Sequence, residues 1–136
     1  MKLILCLDDH NGMLFNGRRQ SRDRAVCEDI LEISGKSPLW MHADSRKLFD
    51  EDCDRICCYS VTPEVVPDEV YVFLEFDSLD HLLPMADMLV VYRWNRVYPA
   101  DVNFPDEYLN YTWNLKEAYA FSGYSHCKLT REVYVR

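Results

Sequence analysis

The chain is poor in glycine and proline and has no long apolar run. Four glycines (12, 17, 35 and 123) are scattered through 136 residues with no Gly-Gly or G-x-G among them. No stretch of backbone is therefore bared for close approach to a pyrophosphate. No apolar segment reaches the roughly 20 residues that a membrane span requires. The opening run 3–7 is stopped at once by Asp8 and Asp9, too short for a signal-peptide core and without a small-residue cleavage site, so the expected compartment is the cytoplasm. The four histidines, His10, His42, His81 and His126, stand apart, and the six cysteines contain no C-x-x-C pair. Those absences argue against a metal site and leave the cysteines as structural thiols, with Cys6, Cys27, Cys57, Cys58 and Cys127 inside apolar segments. Adjacent Cys57 and Cys58 on a strand would point to opposite faces, which suits neither a disulfide nor a chelate.

Basic residues are also in the minority. Lys and Arg number 15 against 23 Asp and Glu, a net charge of −8, which disfavours a nucleic-acid coat. Against that background Arg18, Arg19, Arg22 and Arg24 form a local basic cluster. What the chain has is apolar content: 49% hydrophobic and 13% aromatic residues imply one folded domain over 1–136.

Hydrophobic periodicity gives an α/β order. Residues 3–7 read as a strand buried on both faces. Ser21 can N-cap a helix over about 22–33, with Val26, Ile30 and Ile33 on one face and Gly35 as its stop. Strands follow at 38–41, 55–59, 69–76 and 88–94, with short helical turns at 45–49 and 79–85. Residues 113–121 and 126–135 make an antiparallel pair around Ser122, Gly123 and Tyr124.

The segment Asp8-Asp9-His10-Asn11-Gly12-Met13-Leu14-Phe15-Asn16-Gly17 resembles the D-x-N-N-G-I-G-x-N-G loop of the dihydrofolate reductases. Pro38-Leu39-Trp40-Met41 resembles their P-V-I-M strand, and Leu82-Leu83-Pro84-Met85-Ala86 their F-L-P-x-A segment. Asp101-Val102-Asn103-Phe104-Pro105 resembles their D-T-x-F-P. The resemblance implies a single central mixed sheet with flanking helices and a C-terminal antiparallel hairpin. The segment 60–69 is too short for the family's edge strand and adenine-side helix, so these are expected to be missing.

Against the family's pattern, the chemistry-bearing positions differ. The substrate acid one turn into the first helix is replaced by Val26, which moves no proton. Asp23 is expected one turn away and Asp29 toward solvent. Leu74, Glu75 and Phe76 stand where Gly-Gly would admit the cofactor pyrophosphate, and His42-Ala43 where Gly-Arg would grip its phosphate. The expectation is a dihydrofolate-reductase-like protein without NADPH-dependent reduction and without a cofactor. Its cleft would bind a small anionic ligand or a protein partner through Arg18, Arg19, Arg22, Asp23, His42 and Tyr92. A divergent oxidoreductase acting on a pterin-like or other small substrate, and an interaction module without ligand, remain the alternatives. So does a solvated loop whose arginines pair with Asp23 and Glu28.

Two further motifs, residues 16–23 (N-x-R-R-Q-S-x-D) and 92–99 (Y-x-W-N-R-x-Y-P), resemble a group of short bacterial proteins sometimes labelled ribonuclease Z. This chain lacks the H-x-H-x-D-H cluster that two-zinc chemistry needs, so ribonuclease activity is not expected. Asp8 is expected to fix a loop turn. Ser125 and His126, read as neighbours on a strand, would diverge and lack a positioned acid. His42, near Asp44, is a candidate for proton transfer or for a structural hydrogen bond.

Overall fold

The structure is a computed structural model that describes residues 1–49 and 53–136. Strand β1 (Lys2–Leu7) lies at the centre of a seven-stranded sheet, parallel to a neighbour on each side. The other strands are β2 (Gly12–Phe15), β3 (Arg18–Arg19), β4 (Leu39–His42), β5 (Ile56–Tyr59), β6 (Tyr71–Phe73), β7 (Met88–Arg93), β8 (Val102–Asn103), β9 (Asn114–Phe121) and β10 (Leu129–Val135). The order across the main sheet is β5-β4-β6-β1-β7-β10-β9, parallel except for the antiparallel β10 and β9. No strand or helix occurs between β5 and β6.

Because successive strand residues face opposite ways, β1 feeds two cores. Leu3, Leu5 and Leu7 pack with Val72, Leu74, Leu89, Val91 and Trp113. Ile4 turns to the other face, where helix α1 (Arg24–Ser34) lays Val26, Cys27 and Ile30 against Phe73, Val90 and Tyr92. Glycine is needed at the C-terminal stop of α1, where Gly35 takes φ +58° and donates its N–H to the Glu32 carbonyl at 3.1 Å.

The helix starts two residues later than the pattern indicates. Asp23, not Ser21, is the N-cap, accepting the Ala25 N–H at 2.9 Å. A carboxylate caps as well as a hydroxyl and also meets the helix dipole, which frees Ser21 for another partner.

A second sheet, β3-β2-β8, covers the carboxyl ends of the central strands and was not foreseen. Asn16 (φ 52°) and Gly17 (φ 71°) make the tight hairpin turn that joins β2 to β3. Asp8 anchors the entry to β2, its Oδ1 accepting the N–H groups of His10 and Gly12 at 2.8 Å each. Its Oδ2 accepts the Gln20 side chain at 2.9 Å and the Tyr98 N–H at 3.1 Å. Burial alone would raise its pKa, but those donors outweigh burial and hold it below the usual carboxylate range.

Two expectations about burial need correction. Cys57, Cys58 and Cys127 are exposed rather than embedded, because β5 is an edge strand and Cys127 precedes β10. Asp29 does not face solvent. Tyr92 and Arg131 are register partners on β7 and β10. From there the Tyr92 hydroxyl donates to Asp29 Oδ2 at 2.7 Å, and Arg131 Nη1 reaches both carboxylate oxygens at 2.8 and 2.9 Å. Among the described residues no helix is long and apolar enough to cross a membrane.

Candidate functional site

Open parallel sheets offer a crevice at the carboxyl ends of their strands. Here that edge is reached by Cys6 of β1, His42 of β4, Leu74 and Glu75 after β6, and Trp94 after β7. The β2–β3 hairpin folds over it. Between hairpin and strand ends lies an open cleft of about 640 Å³, lined by Gly17, Arg18, Arg19, Ser21, Arg22, His42, Asp44 and Phe76.

Four of the six residues singled out from sequence, Arg18, Arg19, Arg22 and His42, therefore meet at one opening. The other two do not line it. Tyr92 is fully buried beneath α1, its hydroxyl committed to Asp29. Asp23 is buried behind the cleft, against the turn that precedes β10.

The arginines of the cluster have different fates. Arg19 forks onto Glu75, with Nε to Oε2 and Nη2 to Oε1 at 2.9 Å each, and lies over the Phe76 ring at 5.5 Å. Ser45 donates to the same Glu75 Oε1 at 2.8 Å. Arg24 pairs loosely with Glu28 at 3.7 Å on the helix surface. Arg18 and Arg22 are exposed, and neither has an acidic partner among the described residues. The pairing anticipated with Asp23 thus does not form. His42 accepts the Asp44 N–H at its Nδ1 (3.0 Å), so one ring nitrogen is structural while the ring stands edge-on to Phe76.

Inside the cleft mouth the space is filled. Cys6, Met13, Arg19, Gln20, Ser21, Leu74, Glu75 and Trp94 enclose only about 10 Å³, room for about one water. Glu75 is the plug: its side chain is 8% exposed and is held by the two-pronged contact with Arg19. Burial, then the Glu75 charge, push the Cys6 thiol well above its ordinary range, so it stays protonated there.

Behind Ser21 stands a polar cluster that sequence reasoning set aside. Residues 122–128 lie between the strands, with a bend at 124–127, so Ser125 and His126 converge instead of diverging. Asp23 Oδ2 accepts the N–H groups of Ser125 (2.9 Å) and His126 (3.1 Å) and lies 3.0 Å from His126 Nδ1. Its Oδ1 accepts the Tyr124 N–H at 3.0 Å. Burial opposes ionisation of Asp23, but these backbone donors and the imidazole overcome it and hold the carboxyl far below the usual carboxylate range. On the far side of the ring, His126 Nε2 is 3.0 Å from Ser21 Oγ and 3.1 Å from the Tyr98 hydroxyl. The ring stacks on Trp94 at 4.9 Å.

Gly123 permits this packing. A Cβ there would collide with Asp23 Oδ2 and come within 2.8 Å of the His126 carbonyl. The two motifs at 16–23 and 92–99 also meet here, through the Tyr98 hydroxyl on Ser21 Oγ at 3.5 Å and Gln20 on the Pro99 carbonyl at 3.3 Å. Among the described residues no group of three His, Cys, Asp or Glu side chains is placed to hold a metal ion.

The architecture defines a class: a central mixed sheet led by β1, a helix crossing from β1 to β4, and a C-terminal antiparallel hairpin. This is the dihydrofolate reductase fold. The dihydrofolate reductase of Enterococcus faecalis, solved in complex with NADP(H) and RAB-propyl, matches 99% of this chain and 95% of its own at a TM-score of 0.68. Sequence identity is 12%, so the likeness is one of fold. No family model matches the chain, and no curated protein does.

Proposed function

We propose that this protein uses the dihydrofolate reductase fold to bind a small anionic ligand, and that it does not carry out NADPH-dependent reduction. One observation carries the reading. Two exposed arginines without acidic partners among the described residues, Arg18 and Arg22, share an open cleft with His42, while the interior beneath is closed by the Arg19–Glu75 pair. Guanidinium groups bind carboxylates and phosphates through paired N–H donors, and two of them at one opening suit a doubly charged group. Fold does not carry function, and the fold's usual chemistry needs space that this interior lacks. Glu75 adds a carboxylate at the strand end, where a pyrophosphate would be repelled.

Inorganic phosphate is the probe. It should raise the melting temperature of the protein more than chloride does at equal ionic strength. The double variant Arg18→Ala, Arg22→Ala should lose that excess, whereas general exclusion of phosphate from protein surface would act on both proteins alike. Equal shifts in the two proteins would remove the anion reading. Calorimetric titration should show no heat of binding at millimolar NADPH, and saturable binding there would restore the reductase reading.

A protein partner is the second reading, favoured by β9. This edge strand is exposed along Asn114–Ala120, and Leu115, Tyr119 and Tyr111 beside it present apolar surface. An unpaired edge invites strand addition. Light scattering after size exclusion tests it: a dimer that dissociates on Leu115→Lys supports the reading, and a monomer at high concentration counts against self-association.

A further inference from the structure

The polar cluster behind the cleft has an order that a merely structural network does not require. Asp23 is fully committed on the protein side, His126 lies between it and Ser21, and Ser21 lines the open cleft. We propose that Ser21, His126 and Asp23 form a nucleophile–base–acid relay that cleaves a small carboxylic ester bearing an anionic group, the latter held by Arg18 and Arg22. The charge preference rests on the anion reading of the cleft; the relay itself does not.

The relay follows from the distances. Asp23 Oδ2 at 3.0 Å from Nδ1 fixes the imidazole tautomer with its hydrogen on Nδ1. Nε2 is then a bare acceptor, 3.0 Å from Ser21 Oγ. Nucleophile, base and orienting acid therefore stand within hydrogen-bond reach in that sequence. Asp23 is a positioning residue; Ser21 and His126 are the groups that meet the substrate. The Trp94 ring holds the imidazole plane from one side.

In the first half-reaction the Ser21 Oγ–H proton passes to His126 Nε2 as Oγ bonds to the ester carbonyl carbon, whose π pair moves onto oxygen. The backbone N–H of Arg22, directly after the nucleophile and without an acceptor among the described residues, is available to that oxyanion. Collapse breaks the carbon–oxygen bond, and the leaving alkoxide takes the proton from Nε2. Water, giving a proton to the same nitrogen, then attacks the acyl-serine and releases the carboxylic acid and free Ser21. The only co-reactant is water. Tyr98, 3.1 Å from Nε2, competes with Ser21 for that nitrogen, so Tyr98→Phe should speed the reaction rather than slow it.

The test uses a fluorophosphonate probe on the folded protein, with the labelled residue located by mass spectrometry. Ser21 should be labelled selectively over the other serines, and hydrolysis of mono-p-nitrophenyl succinate should exceed that of p-nitrophenyl acetate. Ser21→Ala, which keeps the Asp23–His126 contact, should lower turnover by about a hundredfold or more while leaving the circular dichroism spectrum unchanged. Asp23→Asn should change the pH profile of labelling, a readout that a packing role would not move. Labelling of Ser21 without preference for the charged ester sustains the relay and overturns the anion reading. No labelling at Ser21, or undiminished turnover in Ser21→Ala, overturns the relay whatever phosphate does in the thermal assay.

Discussion

The guanidinium of Arg19 and the carboxylate of Glu75, 56 residues apart, face each other through two 2.9 Å hydrogen bonds and close the interior end of the cleft. The two partners are unequally buried, with side chains 26% and 8% exposed, and this asymmetry predicts unequal costs. Arg19→Ala leaves a buried carboxylate with Ser45 as its one remaining side-chain donor among the described residues, and should cost about 3 kcal/mol of stability. Glu75→Gln leaves a guanidinium that can turn toward water and keeps a hydrogen-bonding partner of the same shape, and should cost about 1 kcal/mol. Urea denaturation of both variants checks this, and a larger loss for Glu75→Gln would contradict it.

How much of this was legible in the sequence depends on the range of each interaction. The apolar runs at 3–7, 69–76 and 88–94 revealed the central strands because burial on both faces leaves a continuous hydrophobic signature. Arg18, Arg19, Arg22 and His42 were found together because a hairpin next to a helix start and a strand end share the carboxyl edge of the sheet. The hairpin itself carried a local signal, Asn16-Gly17, that marks such a turn. The partners of those residues had no local signal. Glu75 read only as an obstacle, because nothing near it in sequence says that Arg19 will fork onto it.

His126 presents the same difficulty more sharply. It is 105 residues from Ser21 and 103 from Asp23, and reading 126–135 as one strand placed its side chain on the wrong course. Asp29 erred in the same way: helical spacing gives a direction from the helix axis, but not that Tyr92 and Arg131 wait on the sheet below. In each case the sequence carried the residue type, and the tertiary fold supplied the partner.

Tyr92 gives a prediction that separates core from cleft. Its hydroxyl is buried and donates to Asp29, which keeps its ion pair with Arg131 when the hydroxyl is removed. No charge is orphaned in Tyr92→Phe, so the loss should be that of one hydrogen bond to a charged group, about 1–2 kcal/mol. The phosphate-dependent shift in melting temperature should be unchanged. Loss of that shift in Tyr92→Phe would place the ring in the ligand site, contrary to its position beneath α1.

Asp23 ties the start of α1 to the turn before β10, and its titration should be visible in stability. The folded protein holds this carboxyl far below its ordinary value, which in the unfolded chain is about 3.9. Between those two values the unfolded chain binds a proton that the folded protein does not, so stability rises with pH there. Its slope reaches at most about 1.4 kcal/mol per pH unit for this one group. The contribution is complete above about pH 5 and declines as pH falls toward the depressed value. Asp23→Asn cannot titrate, and should cost about 2 kcal/mol at neutral pH through the weakened cap and the lost charge-assisted hydrogen bonds. Other carboxylates also titrate in acid, so the quantity to measure is the difference between the two proteins, by urea denaturation from pH 7 down to pH 3. That difference should shrink steadily below pH 4, and a gap of constant size across the range would show that the Asp23 charge contributes nothing to holding the two segments together.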